Sequence, residues 1–382
     1  MSWRDLVWSG LALVALLPAG FGAWIFSLPP TRAAAEPPPI AKAESEAMLA
    51  SLKRPQHARP LVAVVGINDG TETTDYLMPT GILRRADVAD VVTLATGLGP
   101  VKLYPALTVQ ADATIADFDA RHPEGADYVV VPAMRRDDDS VVLAWLKSQA
   151  GKGATIIGVC VGVKVVAAAG LLDGKRATTH WYVLKQMLRR HPSITYVPDR
   201  RIVTDRGVAT TTGITASMPM MLTLIEAIAG RQKAEAVGRD LGLAAWDARH
   251  DSKAFKLTRS FVTTVVGNSL AFWKRQKLGI ELQRDVDEVS LAVVADAWSR
   301  TYRSKTVAFA ASSGAVATRN GVRVIPDEIA GDWPGESRLS TFPSLKPADA
   351  LDHALDDVSA RYGRSTADVV AMQLEYPGRA GH

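Results

Sequence analysis

The sequence predicts an α/β fold, a parallel-sheet sandwich followed by a truncated second α/β half-repeat. Three observations predict it. Leu61–Val65, Val91–Ala95, Tyr128–Val131 and Thr155–Val159 are short, unbroken apolar runs rich in β-branched residues, as parallel strands buried on both faces are. Helical stretches separate them, which is the alternation of stacked βαβ units. The run at Thr155 leads directly into Gly158-Val-Cys160-Val-Gly162, a strand-to-helix corner built around the one cysteine of the chain.

The bulk properties agree with a globular protein. The 382 residues have room for one large or two ordinary domains. With 47% hydrophobic and 22% charged residues, the chain is not of a disordered composition. The net charge of +4 is scattered, without a basic stripe or an aromatic-interleaved basic patch. Nucleic acid is therefore not expected as a partner.

Residues Leu6 to Leu28 carry no charge over 23 positions. That run exceeds the apolar core of a signal peptide and is long enough to span a bilayer. Trp3, Trp8 and Trp24 fall near its ends, where interfacial aromatics belong. Ala33-Ala-Ala35 has the small residues of a signal-peptidase site, so a cleaved signal is the alternative. Residues 1–30 are expected to be a single-pass N-terminal anchor in the cell membrane, with the bulk periplasmic or extracytoplasmic. Residues 31–60, with Pro37-Pro-Pro39, Pro55 and Pro60, read as a Pro/Ala-rich stalk holding one short helix around Ala43–Leu52.

The folded part is expected to start at Leu61. After the first strand, Asn68-Asp-Gly70 turns the chain and a helix runs from about Thr74 to Arg85. Val91–Ala95 is the second strand. Val101–Leu103 and Leu107–Val109 suggest a hairpin across Tyr104-Pro-Ala106. Beyond the strand at Tyr128, Asp137-Asp-Asp139-Ser140 supplies N-cap chemistry for a helix through Trp145 to about Ala150, which explains these aspartates better than metal ligation does. The elbow helix follows Cys160. Then come a helix at Trp181–Arg190, a strand pair at Ile202–Thr204 and Val208–Thr210, and a helix at Ser217–Ala229.

From about Arg231 the chain repeats itself. Val91–Ala95, Gly99, Val101 and Leu107–Asp112 match Thr306–Ala310, Gly314, Val316 and Val322–Asp327 at a constant offset of 215 residues. Leu83-Arg-Arg85 corresponds to Trp298-Ser-Arg300. The repeat stops at Asp327 and gives way to a Pro/Gly/Ser loop and two helices, Ala348–Tyr362 and Thr366–Leu374. A half-repeat cannot bury its own sheet face, so 231–382 is expected to pack on 61–230 or on a second copy in a homodimer. It has no nucleophile.

The corner at Cys160 has the form of a nucleophile elbow, in which small neighbours let the chain turn and the side chain stands clear of the sheet. The following helix N-terminus is expected to favour thiolate over thiol. Asp75 opens the helix after the first strand, at the sheet edge where open α/β folds carry their sites. His180 follows the elbow helix after one short connection. On spacing alone, Asp75 is as well read as a helix cap and His180 as a structural imidazole.

Together these residues resemble the ThiJ/PfpI superfamily, whose fold is that of class I glutamine amidotransferases. The resemblance runs from about Leu61 to Gly230 and rests on Gly158-Val-Cys160-Val-Gly162, Ala169-Gly-Leu-Leu-Asp-Gly174, Ala177-Thr-Thr-His-Trp181, Thr212-Gly-Ile-Thr-Ala216 and Asp75-Tyr-Leu-Met-Pro79. It is most similar to the branch of isocyanide hydratases and of the amidase-like domain of AraC-type transcription regulators. The resemblance implies Cys160 as nucleophile, Asp75 as the acidic partner of its sulfur and His180 as a pocket neighbour. Two departures matter. Val161 stands where the family's proteases have His and its hydratases Thr, and Ala133-Met134 replaces a Gly-Gly pair that supplies oxyanion N–H groups.

The expectation is a Cys-dependent hydrolase or lyase acting on a small carbonyl, amide or isonitrile-type substrate, with no metal or other cofactor. Backbone N–H groups of Ala133 and Val161 would bind the oxyanion. The alternatives are a sensor whose Cys160 meets an oxidant or ligand, and a transcription-regulator relative without its DNA-binding domain.

Overall fold

Leu61–Gly66 forms β1, and its side chains alternate between two cores on opposite faces of one sheet. Val62 and Val64 join one apolar cluster, Leu61, Ala63 and Val65 the other. The computed structural model describes residues 20–32, 35–52, 55 and 57–377. The other elements of the first half are α1 (Lys42–Leu52), α2 (Thr73–Ala86), β2 (Asp90–Ala95), β3 (Val101–Tyr104), β4 (Thr108–Gln110), β5 (Ala113–Thr114), β6 (Tyr128–Val131), α3 (Ser140–Gly151), β7 (Thr155–Gly158), α4 (Val163–Ala168), α5 (Trp181–Arg190), β8 (Ile202–Asp205), β9 (Val208–Thr211) and α6 (Ser217–Ala229). The main sheet has the order β8-β9-β7-β6-β1-β2-β5. All its neighbours run parallel except the edge pair β8–β9. The expected hairpin is the antiparallel pair β3–β4, and Asp139 caps α3 by accepting from Val141 and Val142 N–H.

The second half contains α7 (Arg231–Leu241), α8 (Arg259–Leu270), β10 (Gln276–Glu281), α9 (Glu288–Ser299), β11 (Ser304–Ala310), β12 (Val316–Ala317), β13 (Arg323–Ile325), β14 (Glu328–Ile329), β15 (Arg338–Leu339), α10 (Pro347–Tyr362) and α11 (Arg364–Leu374). The offset of 215 residues carries β1 onto β10, α2 onto α9, β2 onto β11, β4 onto β13 and β5 onto β14. The half-repeat is therefore structural, and it packs on the first half: α9 lies against α2, and both contribute to one hydrophobic cluster.

The two copies face each other across a pseudo-twofold axis. β13 pairs antiparallel with β4 so that Val324 meets Val109, its own counterpart, flanked by Arg323–Gln110 and Ile325–Thr108. Two buried ion pairs follow the same symmetry. Arg300 of the second half reaches Glu72 of the first, and Arg85 of the first reaches Asp287 of the second. Arg85 and Arg300 are counterparts, as are Glu72 and Asp287.

Two expectations about the N-terminal region need correction or restriction. Part of the segment read as a stalk belongs to the folded body. Leu52 at the end of α1 is buried, its carbonyl accepts from Tyr128 Oη at 2.5 Å, and Arg200 pairs with Glu44. Burial of one apolar helix face outweighs the proline-rich flanks that suggested an extended chain. Residues 1–19 of the apolar N-terminal segment lie outside the described residues. Among the described residues, no helix is long and apolar enough to cross a membrane.

Candidate active site

The corner predicted around Cys160 is present, and its backbone is strained. Cys160 has φ of 55°, the left-handed region that L-residues avoid. Neighbouring side chains hold it there: its N–H donates to Thr211 Oγ1 at 3.1 Å and its carbonyl accepts from Thr179 Oγ1 at 3.0 Å. Gly162 permits the close approach of the elbow to the end of β6. A Cβ there would run into the Val131 carbonyl oxygen and lie 2.6 Å from the Pro132 carbonyl carbon.

Asp75 stands in the first turn of α2, fully buried beside Cys160. Its Oδ2 accepts from Ala133 N–H at 3.0 Å, while Oδ1 receives no N–H or O–H donor among the described residues. The Cys160 thiol is its hydrogen-bonding neighbour. Burial pushes the Asp75 carboxyl up to about 7, against the pull of the Ala133 N–H and the Arg300 charge. Burial likewise pushes the Cys160 thiol well above its ordinary value, helped by the carboxylates of Asp75 and Glu72. The expected thiolate is not favoured here: desolvation and the nearby acids oppose charge on the sulfur and work against the dipole of a short helix.

Ala133 requires a second correction. Its N–H is spent on Asp75, so it orients the acid instead of binding an oxyanion. Val161 lines the pocket at the helix start, where the first N–H groups lack intrahelical partners. His180 also lines the pocket, but both ring nitrogens are engaged: Nε2 lies 3.0 Å from the Gln373 carbonyl and Nδ1 accepts from Tyr182 N–H at 3.2 Å. Burial holds its pKa below the ordinary value. As a capped, neutral imidazole it orders α5 and the C-terminal helix; it has no lone pair left for the Cys160 proton.

Sequence reasoning missed Glu72, Arg300 and Asp296. Glu72 caps α2, accepting from Asp75 N–H at 2.7 Å, and accepts from Arg300 Nη2 at 2.8 Å. The partly buried Arg300 also donates through Nε to both oxygens of Asp296, at 2.9 and 2.8 Å. Burial raises the pKa of both acids, and Arg300 opposes it. The signal for Arg300 was present in the repeat, where Arg85 and Arg300 correspond, but without the fold it carried no chemistry. Among the described residues no group of His, Cys, Asp and Glu is arranged to hold a metal.

Of these groups, Cys160, Glu72, Ala133, Val161, His180 and Arg300 line a pocket of about 470 Å³, within the range of roughly 300–1,000 Å³ typical of ligand sites, and Asp75 lies behind the lining. Cys160, Glu72, Tyr104 and Arg300 line its floor; Phe261, Val262, Val265 and Val266 of α8 line one wall. A cleft of about 570 Å³ between α1 and β8 is larger, but it holds no nucleophile.

Comparison with known proteins fits this geometry. Residues 62–227 match the model of the DJ-1/PfpI family. An uncharacterized protein in the cpoL 5′ region of Streptomyces lividans is 34% identical over 145 residues, covering 36% of this chain and 99% of that one. The chain belongs to the DJ-1/PfpI family. The isonitrile hydratase of Pseudomonas putida is 37% identical over 154 residues, 40% of this chain and 61% of the hydratase. The HTH-type transcriptional regulator CdhR of Pseudomonas aeruginosa is 32% identical over 178 residues, 46% of this chain and 52% of the regulator. The chain thus spans little more than half the length of these two relatives. In this DJ-1/PfpI protein the elbow, its acid and the parallel sheet lie within 62–227, while Arg300 and the α8 wall lie beyond the matched region.

Proposed function

We propose that this protein adds its Cys160 thiol to a neutral carbon electrophile, with hydration of an isonitrile as the reaction the site fits best. The observation that carries this reading is the buried Cys160 thiol, which lines a largely apolar pocket and has the fully buried Asp75 carboxyl as its hydrogen-bonding neighbour, where burial works against charge on both groups. Such a site disfavours chemistry that must start from a thiolate. An isonitrile, R–N≡C, requires none. Protonated Asp75 gives a proton to the terminal carbon as Cys160 Sγ bonds to it, and the thiol proton returns to Asp75. The product is a neutral thioimidate, R–N=CH–S–Cys160. Water then adds across C=N, the C–S bond breaks, and the sulfur regains its proton by way of Asp75, releasing R–NH–CHO. Identity with an isonitrile hydratase supports the reading. A peroxide sensor has less support, because such cysteines are accessible thiolates and Cys160 is 3% exposed.

Acid quenching during turnover, followed by mass spectrometry, is expected to find one isonitrile molecule on Cys160. Cys160→Ala is expected to lose the adduct and at least a thousandfold in turnover. Turnover that survives in Cys160→Ala sinks the proposal.

We also propose that the N-terminus anchors the protein to the cell membrane with the family domain outside the cytoplasm. The uncharged run Leu6–Leu28 supports it. The protein is expected to stay with the membrane pellet after extraction at alkaline pH. Its release into the soluble fraction would overturn the anchor.

A further inference from the structure

The pocket is larger than the head group that Cys160 can attack, and its surplus is apolar and one-sided. The polar groups at the floor are mostly satisfied among themselves: Arg300 is held by Asp296 and Glu72, and Glu72 also caps α2. Among the described residues, a charged head would find no unengaged cation there. On α8, Val262, Val265 and Val266 share one helix face, and Phe261 lies beside it. Trp181 and Ile214 also line the pocket, with Trp181 edge-on to Phe261 at 5.9 Å. Trp24 completes the lining from the N-terminal side. The segment carrying it is held against the start of α8: Arg259 N–H donates to the Pro29 carbonyl at 3.0 Å, and Arg259 Nη2 to the Phe26 carbonyl at 2.7 Å. A ligand no larger than its reactive group would leave this wall facing water.

We propose that the substrate is an amphiphile: a small neutral head at Cys160 joined to an apolar tail lying between α8 and Trp24. The inference rests on the Cys160 reading for the head and on the α8 wall for the tail. The α8 wall and Trp24 both come from outside the matched region 62–227, so segments beyond the family domain shape the tail site while the family domain supplies Cys160. The N-terminal segment that forms the rim is the end of the uncharged run, which places the apolar side of the pocket next to the proposed anchor.

The test uses the full chain and two readouts. In the first, N-methyl-, N-hexyl- and N-dodecylformamide bind to Cys160→Ala protein, followed by tryptophan fluorescence. Affinity is expected to rise roughly fourfold for each methylene that the wall covers. Val265→Asp and, separately, Phe261→Ala are expected to remove at least tenfold of the dodecyl affinity while leaving the unfolding curve cooperative. Affinity independent of tail length, or insensitive to both substitutions, overturns the inference. In the second, wild-type turnover of tert-butyl, hexyl and dodecyl isonitrile is compared. Turnover without gain from the tail overturns the inference and leaves the reaction standing. Tail-dependent binding without turnover of any isonitrile upholds the tail site and removes the reaction assigned to Cys160.

Discussion

An Asp75→Asn protein is expected to lose two to four orders of magnitude in turnover and to become harder to unfold at pH 8. Both effects follow from one carboxyl. Asn keeps an oxygen for the Ala133 N–H but cannot pass a proton between thiol and substrate. On stability, the sign follows from where protons are held. Asp75 in the folded protein keeps its proton up to about pH 7, whereas an unfolded Asp loses it near its ordinary value of 3.8. Between those values the folded state binds more protons, so this group's contribution to stability falls as pH rises from about 4 to about 7 and stays low above. Asn carries no charge to bury and escapes that loss, which amounts to a few kcal/mol at about 1.4 kcal/mol per pH unit. Thermal melts from pH 4 to pH 8 should show the variant's advantage growing with pH. A difference independent of pH would mean that Asp75 is not the titrating group. Wild-type kcat/KM should correspondingly fall above about pH 7, as the acid form disappears.

Arg300→Met is expected to cost about 3–5 kcal/mol in a urea melt, because it strands the buried carboxylates of Glu72 and Asp296. The pseudo-twofold axis provides the control. Arg85→Met removes the equivalent pair with Asp287, so its stability cost should be similar. Of these two arginines, Arg300 is the one whose charge is a leading influence pulling the Asp75 pKa down. Its loss should therefore move the alkaline limb of the kcat/KM profile to higher pH, while Arg85→Met leaves that limb in place. Equal movement in both variants would show a general effect of loosening the interface between the halves, and Arg300 would lose its assignment as a positioning residue.

The elbow could be read locally because its geometry is local. Gly158, Cys160 and Gly162 fall within five consecutive positions, and the glycines are needed wherever a strand turns this tightly into a helix. The parallel strands were legible for a similar reason, since burial on both faces leaves no polar alternation. The repeat was legible as a constant spacing, but spacing left open whether it packs on the first half or on a second copy; the contact of α9 with α2 is a tertiary fact. The stalk was misread because proline marks an extended chain only where nothing else covers the segment; Met48, Leu49 and Leu52 found a partner surface.

The sequence by itself determined the family fold and the strand-to-helix corner at Cys160, each written in a short pattern whose meaning does not depend on distant residues; Asp75 was singled out only through the family resemblance. Tertiary structure decided the protonation states, the use of the Ala133 N–H and the partners of His180. It also brought Arg300, 140 positions beyond Cys160, to the floor of the same pocket, and α8 to its wall. The physical reason is that desolvation and charge pairing depend on which groups share a buried volume. That is set by how the two halves pack across their pseudo-twofold axis, and no local pattern records it.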